Sequence, residues 1–230
     1  YERFGKNYKL TIILEGIPGT GKTSFIQAVA NEFDLDIYHV THNNEIKDND
    51  LIHNIGTIKK EHFILFIEDF DKMFVEMDET TTETFSKNTS ISFSAFTNVF
   101  DGSFSKQGMI SFITTNDISK INETLKRSGR TDIIVKFDYY DEQQTRDFIK
   151  HCFKNIDQTV LTKIVDAFCK NVRNKKYTVS ALSHFMFDYK DCPEEINNNI
   201  KKFDEVINQQ TYGTKNVISH MIWVYNMRNN

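Results

Sequence analysis

The sequence predicts an α/β fold, a parallel β-sheet flanked by helices, followed by a smaller α-helical domain. Three observations carry this. Short β-branched and aromatic runs alternate with helix-compatible segments up to about residue 140. The first of those runs stops at a glycine loop that opens a helix. Beyond that region, apolar residues recur only at helical spacing. We therefore expect an α/β domain over residues 1–140 and a helical domain over 141–230.

The first strand is KLTIIL at 9–14, ending at Gly16, and TSFIQAVANEF from Thr23 is the helix behind it. Ile37 to Val40 is the second strand. HFILFIEDF, from His62 to Phe70, is an unbroken apolar run that ends in acids, and GMISFITTN, from Gly108 to Asn116, repeats the form. DIIVKFDYY, from Asp132 to Tyr140, closes the series. Unbroken apolar strands belong to a sheet covered on both faces, and ligands of such sheets gather at the strand C-terminal ends. After Asp141 the segments EQQTRDFIKHCF, TVLTKIVDAFCKNV, SALSHFMFDY and PEEINNNIKKFDEVI read as helices. The polar, Thr-rich stretch Glu76 to Ser90 has no periodicity and predicts a loop.

A hydrophobic share of 39% with 20 Phe supports a packed, aromatic-rich core and excludes a disordered chain. Lys and Arg number 28 against 32 Asp and Glu, a net charge of -4, which argues against a surface built to hold a nucleic-acid backbone. No apolar run approaches the ~18 residues of a membrane-spanning helix. The chain opens on Tyr1 and reads as a piece of something longer, so any membrane attachment is expected upstream of it. Cys152, Cys169 and Cys192 form no C-x-x-C pair, which favours free thiols in a reducing compartment. With His151 and His184 they match no zinc spacing.

Residues 16–23 read GIPGTGKT and satisfy G-x-x-x-x-G-K-[ST], in the strand–loop–helix context the motif requires. Gly16, Ile17, Pro18, Gly19, Thr20, Gly21, Lys22, Thr23 and Ser24 are the expected cradle for the phosphates of ATP, because glycines let successive N–H groups turn inward and the helix adds its positive end. Lys22 is expected on the β- and γ-phosphates, and Thr23 on Mg²⁺. Triphosphate chemistry also needs carboxylates at a neighbouring strand end. Glu68 takes the metal-side position and Asp69 the water-polarising one; with this order and so short a second acid, the roles are assigned to the pair. Asp71 is expected to be structural. Asn116, ending another apolar strand, is a candidate polar sensor for the γ-phosphate and the attacking water. Arg127 and Arg130 flank a Ser-Gly turn and could stabilise the transferring phosphoryl group from a neighbouring subunit, or form an ordinary basic surface turn.

GIPGTGKTS, ILFIEDFD, FITTN and LKRSGRTD, in this order, resemble an AAA-type ATPase over nearly the whole chain. The Glu68-Asp69 order, FTNVFDGSFSKQGMISFITTN and TVSALSHFMFDYKDCPEEI are most similar to the subfamily of mitochondrial chaperones that move the Rieske iron–sulfur protein across the inner membrane during bc-complex assembly. The resemblance implies a P-loop NTPase sheet with a helical lid and a homo-oligomeric ring of six or seven subunits. It also implies a protein client, with Arg127 and Arg130 reaching the adjacent subunit's nucleotide and Ser180 and Ala181 contacting nucleotide from the lid. Two departures stand out. The family's common RPGR reads RSGR here, and THNNEIKDND after the second strand lacks the aromatic–hydrophobic–glycine pore motif, so direct grip on an unfolded polypeptide is not expected. Heavy use of Asn, Lys and Ile suggests an AT-rich coding source, a protist or a large virus, which leaves the mitochondrial inner membrane, a host cytoplasm and a virion open as locations.

Two other readings stay open: an AAA+ motor acting on nucleic acid in viral replication or packaging, although nucleic acid is not the expected partner, and a scaffold that binds ATP and barely hydrolyses it. The many aromatic residues are read as core rather than as base-stacking platforms. ISHMIWVYNM, Ile218 to Met227, is apolar enough to pack on the ring or lid and is assigned no chemistry.

Overall fold

Five parallel strands form the first unit's sheet: β1 (Leu10–Gly16), β2 (Ile37–Val40), β3 (Phe63–Ile67), β4 (Met109–Thr115) and β5 (Ile133–Phe137). They stand in the order β2-β3-β4-β1-β5. The computed structural model describes residues 8–40, 46–73, 91–101 and 106–211. The segments 41–45, 76–90 and 218–227, for which the sequence suggested loops or an apolar tail, lie outside those residues. Parallel pairing requires crossovers, and helices α1 (Lys22–Glu32), α2 (Asp48–Thr57), α3 (Phe70–Met73), α4 (Phe93–Asp101) and α5 (Glu123–Lys126) lie between the strands in the chain.

Strand alternation divides the core. On one face Ile13, Phe63, Leu65, Ile67, Met109 and Ile113 pack with Leu51 and Ile55 of α2 and Phe96, Val99 and Phe100 of α4. On the other, Leu14, Ile64, Phe66 and Phe112 pack with Ile26 and Ala30 of α1. This explains why β3 is buried along its whole length and reads as an uninterrupted apolar run. Coverage is less complete at the β5 edge, where Ile133 and Ile134 are 45% and 46% exposed.

Two apolar runs end as strands earlier than their sequence suggests. The run His62 to Phe70 leaves the sheet after Ile67, because Asp69 takes a left-handed backbone (φ 49°) and Phe70 opens α3. The run Asp132 to Tyr140 keeps strand geometry only over β5, whose register with β1 ends at Gly16 opposite Phe137. Helices α2 and α4 carry apolar faces that the sequence reading had not singled out. Asp48, in the first turn of α2, accepts from the Ser92 N–H (2.6 Å) and hydroxyl (2.8 Å), tying the starts of the two helices together.

The chain divides into two compact units, Tyr1–Asp138 and Tyr139–Asn230. The second holds α6 (Glu142–Cys152), α7 (Gln158–Val172), α8 (Val179–Asp188) and α9 (Ile200–Thr211). Side chains cap the starts of α6 (Asp141, in a capping box with Gln144), α7 (Asp157) and α8 (Thr178), supplying acceptors for N–H groups that a helix leaves unpaired. PEEINNNIKKFDEVI is not one helix: Pro193–Glu195 and Asn197–Asn199 are single 3₁₀ turns before α9 begins. Asn side chains compete for local backbone partners, and Asn197 donates to the Ile164 carbonyl (3.1 Å) while Asn199 donates to the Glu195 carbonyl (2.9 Å).

Phe203 of α9 anchors this unit's core, fully buried, with ring centroids 5.0 Å from Phe185, 5.1 Å from Tyr177 and 5.4 Å from Phe168. Phe203→Ala should lower the stability of the second unit by about 3–5 kcal/mol. Urea denaturation of the whole chain checks this as an earlier transition for that unit.

Candidate active site

Gly16 ends β1 in the left-handed half of backbone space (φ 151°), and a Cβ there would lie 2.1 Å from the Phe137 carbonyl oxygen of β5. No side chain fits so close an approach of two backbones. The loop that follows closes on itself through the Thr20 hydroxyl, which donates to the Ile17 carbonyl at 2.8 Å. Gly21 caps α1 in a left-handed conformation (φ 93°), turning the chain so that the first N–H groups of an 11-residue helix face the loop. Such a helix start with its preceding backbone nest is an anion site. Pro18 and Gly19 lie exposed at the rim with Ser24, while Thr20 and Lys22 are buried.

The ammonium of Lys22 donates to the carbonyls of Gly16 (2.5 Å) and Ile17 (3.2 Å) and to Asn116 Oδ1 (3.1 Å). Burial pushes its pKa below the ordinary lysine value, and the nearby Asp69 and Asp71 charges act in the opposite direction. Across β4, the Asn116 amide nitrogen points to Asp69 Oδ1 at 3.5 Å. Next to it, the Thr23 hydroxyl donates to Glu68 Oε1 at 3.4 Å. Lys22, Thr23, Glu68, Asp69 and Asn116 thus converge at the C-terminal ends of β1, β3 and β4, three neighbours in the sheet. Asp69 is held by its own backbone, whose N–H donates to Thr114 Oγ1 (3.0 Å), and by Lys72, whose ammonium lies 2.5 Å from Oδ2. That bond raises the Lys72 pKa.

The family model described as "ATPase family associated with various cellular activities (AAA)" matches residues 12–139. The chain belongs to the AAA ATPase family. Among curated proteins it is similar to a probable mitochondrial chaperone BCS1-A of Dictyostelium discoideum, 29% identical over 198 residues, covering 85% of this chain and 46% of that protein. The mitochondrial chaperone BCS1 of Danio rerio is 31% identical over 136 residues, 58% of this chain and 32% of that protein. A probable mitochondrial chaperone bcs1 of Schizosaccharomyces pombe is 32% identical over 148 residues, 64% of this chain and 32% of its own length. The chain therefore spans less than half the length of these relatives.

Within the AAA domain the two arginines stand apart from this cluster. Arg127 caps α5 and is exposed; Arg130 is half-buried, and its guanidinium donates to the Thr124 carbonyl at 3.2 Å. Their turn is fastened to α5 through the Thr131 hydroxyl, which donates to the Leu125 carbonyl (2.7 Å), and to the start of β1 through Asp132, which accepts from the Thr11 N–H (2.8 Å) and donates its own N–H to the Thr11 carbonyl (2.9 Å). Thr11 and Gly16 lie five residues apart, about 17 Å along a strand, so this turn and the phosphate loop sit at opposite ends of β1. Ser180 and Ala181 belong to the second unit, in the first turn of α8. Ser180 is exposed, the Ala181 methyl is fully buried in that unit's core, and the Ala181 N–H donates to Thr178 Oγ1 (3.4 Å).

Sequence reading left His39, Lys72 and Thr114 out of the site. His39 stacks on Phe66 (centroids 4.7 Å, 13° between planes) with Nε2 3.6 Å from Glu68 Oε2. The pairing of β2 with β3 places it there, and strand adjacency has no signature in sequence spacing. Thr114 was visible only as part of a strand.

Gly16→Ala is expected to force β1 and β5 apart, since both atoms nearest the new methyl are backbone. A loss of about 2 kcal/mol or more follows from such a backbone conflict, and a lowered denaturant midpoint for the first unit checks it.

Proposed function

We propose that this AAA chain hydrolyses ATP, and that a ring of identical subunits, six or seven, uses the hydrolysis to remodel or move a protein client. The observation that supports hydrolysis most directly is the meeting of a phosphate-loop lysine, two carboxylates and a neutral amide at adjacent strand ends. Lys22, shielded from water, presents its charge to the β- and γ-phosphates at greater strength than a solvated lysine could. Asp69, fixed by Thr114 and Lys72, accepts a hydrogen bond from the attacking water and orients it in line with the γ-phosphorus. Asn116 reaches both Lys22 and Asp69, so the same amide can register the γ-phosphate and the water.

The Thr23 hydroxyl and Glu68 carboxylate form a hard-oxygen pair beside the cradle, a donor set that suits Mg²⁺, which takes few protein ligands and completes its shell with phosphate oxygens and water. Among the described residues no group of three or more His, Cys, Asp or Glu is arranged to hold a metal ion. When bound, Mg²⁺ neutralises charge on the phosphates.

Arg127 and Arg130 act in trans in this reading. Their turn is fixed at the far end of β1 from the phosphate loop of the same chain, so only a second copy brings its loop to them. A protein client is supported by the chaperone names of the relatives. A mitochondrial location is supported by the names of the relatives; among the described residues no helix is long and apolar enough to cross a membrane. Ser180 and Ala181, at the start of α8, contribute nucleotide contacts from the lid.

Asp69→Asn should keep nucleotide binding and cut turnover by ~10²–10⁴-fold, the range of a lost general base; turnover at the unmodified rate removes Asp69 from the role. Arg127→Ala subunits should be inactive alone and regain activity when mixed with Lys22→Ala subunits, because one seam in the mixed ring is then intact. Absence of any regain over a range of mixing ratios argues against action between copies. ATPase rates with and without DNA or RNA at two salt concentrations test the competing reading: strong stimulation that falls with salt identifies a nucleic-acid motor.

A further inference from the structure

We infer that Asp71 is a positioning residue for the hydrolysis, the group that aims Asn116 by holding its backbone. The inference rests on reading Asn116 as the polar sensor. Asp71 is only 9% exposed; its Oδ1 accepts from the Asn116 N–H (3.2 Å) and lies 3.1 Å from the Thr115 hydroxyl, whose one proton is shared between that oxygen and the Asp117 carbonyl at 3.0 Å. Thr115 is itself fully buried, and its Oγ1 accepts in turn from the Asp117 N–H at 3.1 Å. One carboxylate oxygen therefore holds two of the residues at which β4 leaves the sheet, Thr115 and Asn116, and Thr115 Oγ1 ties in the third, Asp117. With the backbone N–H of Asn116 pinned on that side, its side chain is left to bridge Lys22 and Asp69.

The placement has a cost that a purely structural residue would avoid. A buried carboxylate loses hydration, and hydrogen bonds offset that loss only when its geometry is specific. No lysine or arginine forms an ion pair with Asp71 among the described residues, so its hydrogen bonds come from the β4 exit, while the Lys22 and Lys72 charges act on it from further away. The four-residue α3 that carries Asp71 is too short to be stable alone. Its attachment to β4 therefore couples the carboxylates Glu68 and Asp69, which immediately precede α3, to the amide they work with. The Asp71 charge also helps to keep Lys22 protonated against the effect of burial.

The test uses the full chain, with ATPase kcat, affinity for a fluorescent ATP analogue and melting temperature read for each variant. Asp71→Asn keeps an acceptor oxygen in place; Asp71→Ala removes it. Asp71→Ala should reduce kcat by ~10²-fold, the scale of a misplaced catalytic group, with nucleotide affinity changed by less than about threefold on the same argument. Asp71→Asn should retain a third or more of the turnover, roughly the loss expected when acceptor geometry survives. The double variant of Asp71→Ala with Asn116→Ala should be no slower than Asn116→Ala alone, since both remove one device. Thr115→Val, which leaves the carboxylate in place, should likewise slow turnover without adding to Asn116→Ala, and it serves if Asp71→Ala does not fold. Multiplicative losses in either double variant, or an Asp71→Asn chain as slow as Asp71→Ala with an unchanged melting temperature, would overturn the inference. A slow Asn116→Ala beside a fast Asp71→Ala refutes Asp71 alone. A fast Asn116→Ala refutes the sensor reading and, with it, this inference.

Discussion

Side-by-side placement of β3, β4 and β1, all running the same way, is the constraint on which the rest of the first unit depends. Parallel strands end at one edge of the sheet, so each can deliver one polar group to the same point while its body stays buried. β1 brings the phosphate loop, β3 the two carboxylates and β4 the amide. The apolar bodies of these strands are clamped between α1 on one face and α2 and α4 on the other. An edge fixed in this way holds side chains more precisely than a free loop would, and precision is what in-line attack on a phosphorus requires.

Electrostatics at that edge work against hydration. Lys22 is buried with its ammonium satisfied by loop carbonyls and Asn116, and the charges of Asp69 and Asp71 sustain it. Every polar group in the cluster is held by at least one other: Asp69 by Thr114 and Lys72, Glu68 by Thr23 and His39, Asn116 by Asp71. Mutual satisfaction of this kind rigidifies a polar network and makes the removal of one member felt by its neighbours.

The arginine turn obeys a different geometry. Asp132, Thr131 and Lys9 tie it to the start of β1 and its flanks, with the Lys9 ammonium 3.1 Å from the Gly129 carbonyl. A strand's length then separates it from the phosphate loop. The same rigid sheet that gathers the phosphate-loop and acidic groups at one end thereby holds the arginine turn at its opposite end, which suits the proposed ring of identical subunits. The proline that the family's common motif carries in this turn is absent, and the backbone and side-chain bonds just named hold the turn without it.

Much of this is legible in the sequence alone. Glycine spacing ahead of a lysine, apolar runs ending in acids or in an amide, and the switch to helical periodicity all reflect local chemistry: what a phosphate nest needs, what a doubly covered strand buries, how a helix repeats. Residues 16–24, Glu68, Asp69 and Asn116 could be named for that reason, since each motif is contiguous. Strand order was not legible, and strand order decided that His39 meets Glu68, that Thr114 holds the Asp69 backbone, and that Asp71, read from sequence as structural, grips the β4 exit. Those contacts join residues 29 to 45 positions apart through lateral pairing of strands, and pairing is set by how the whole sheet buries its two faces rather than by any one segment.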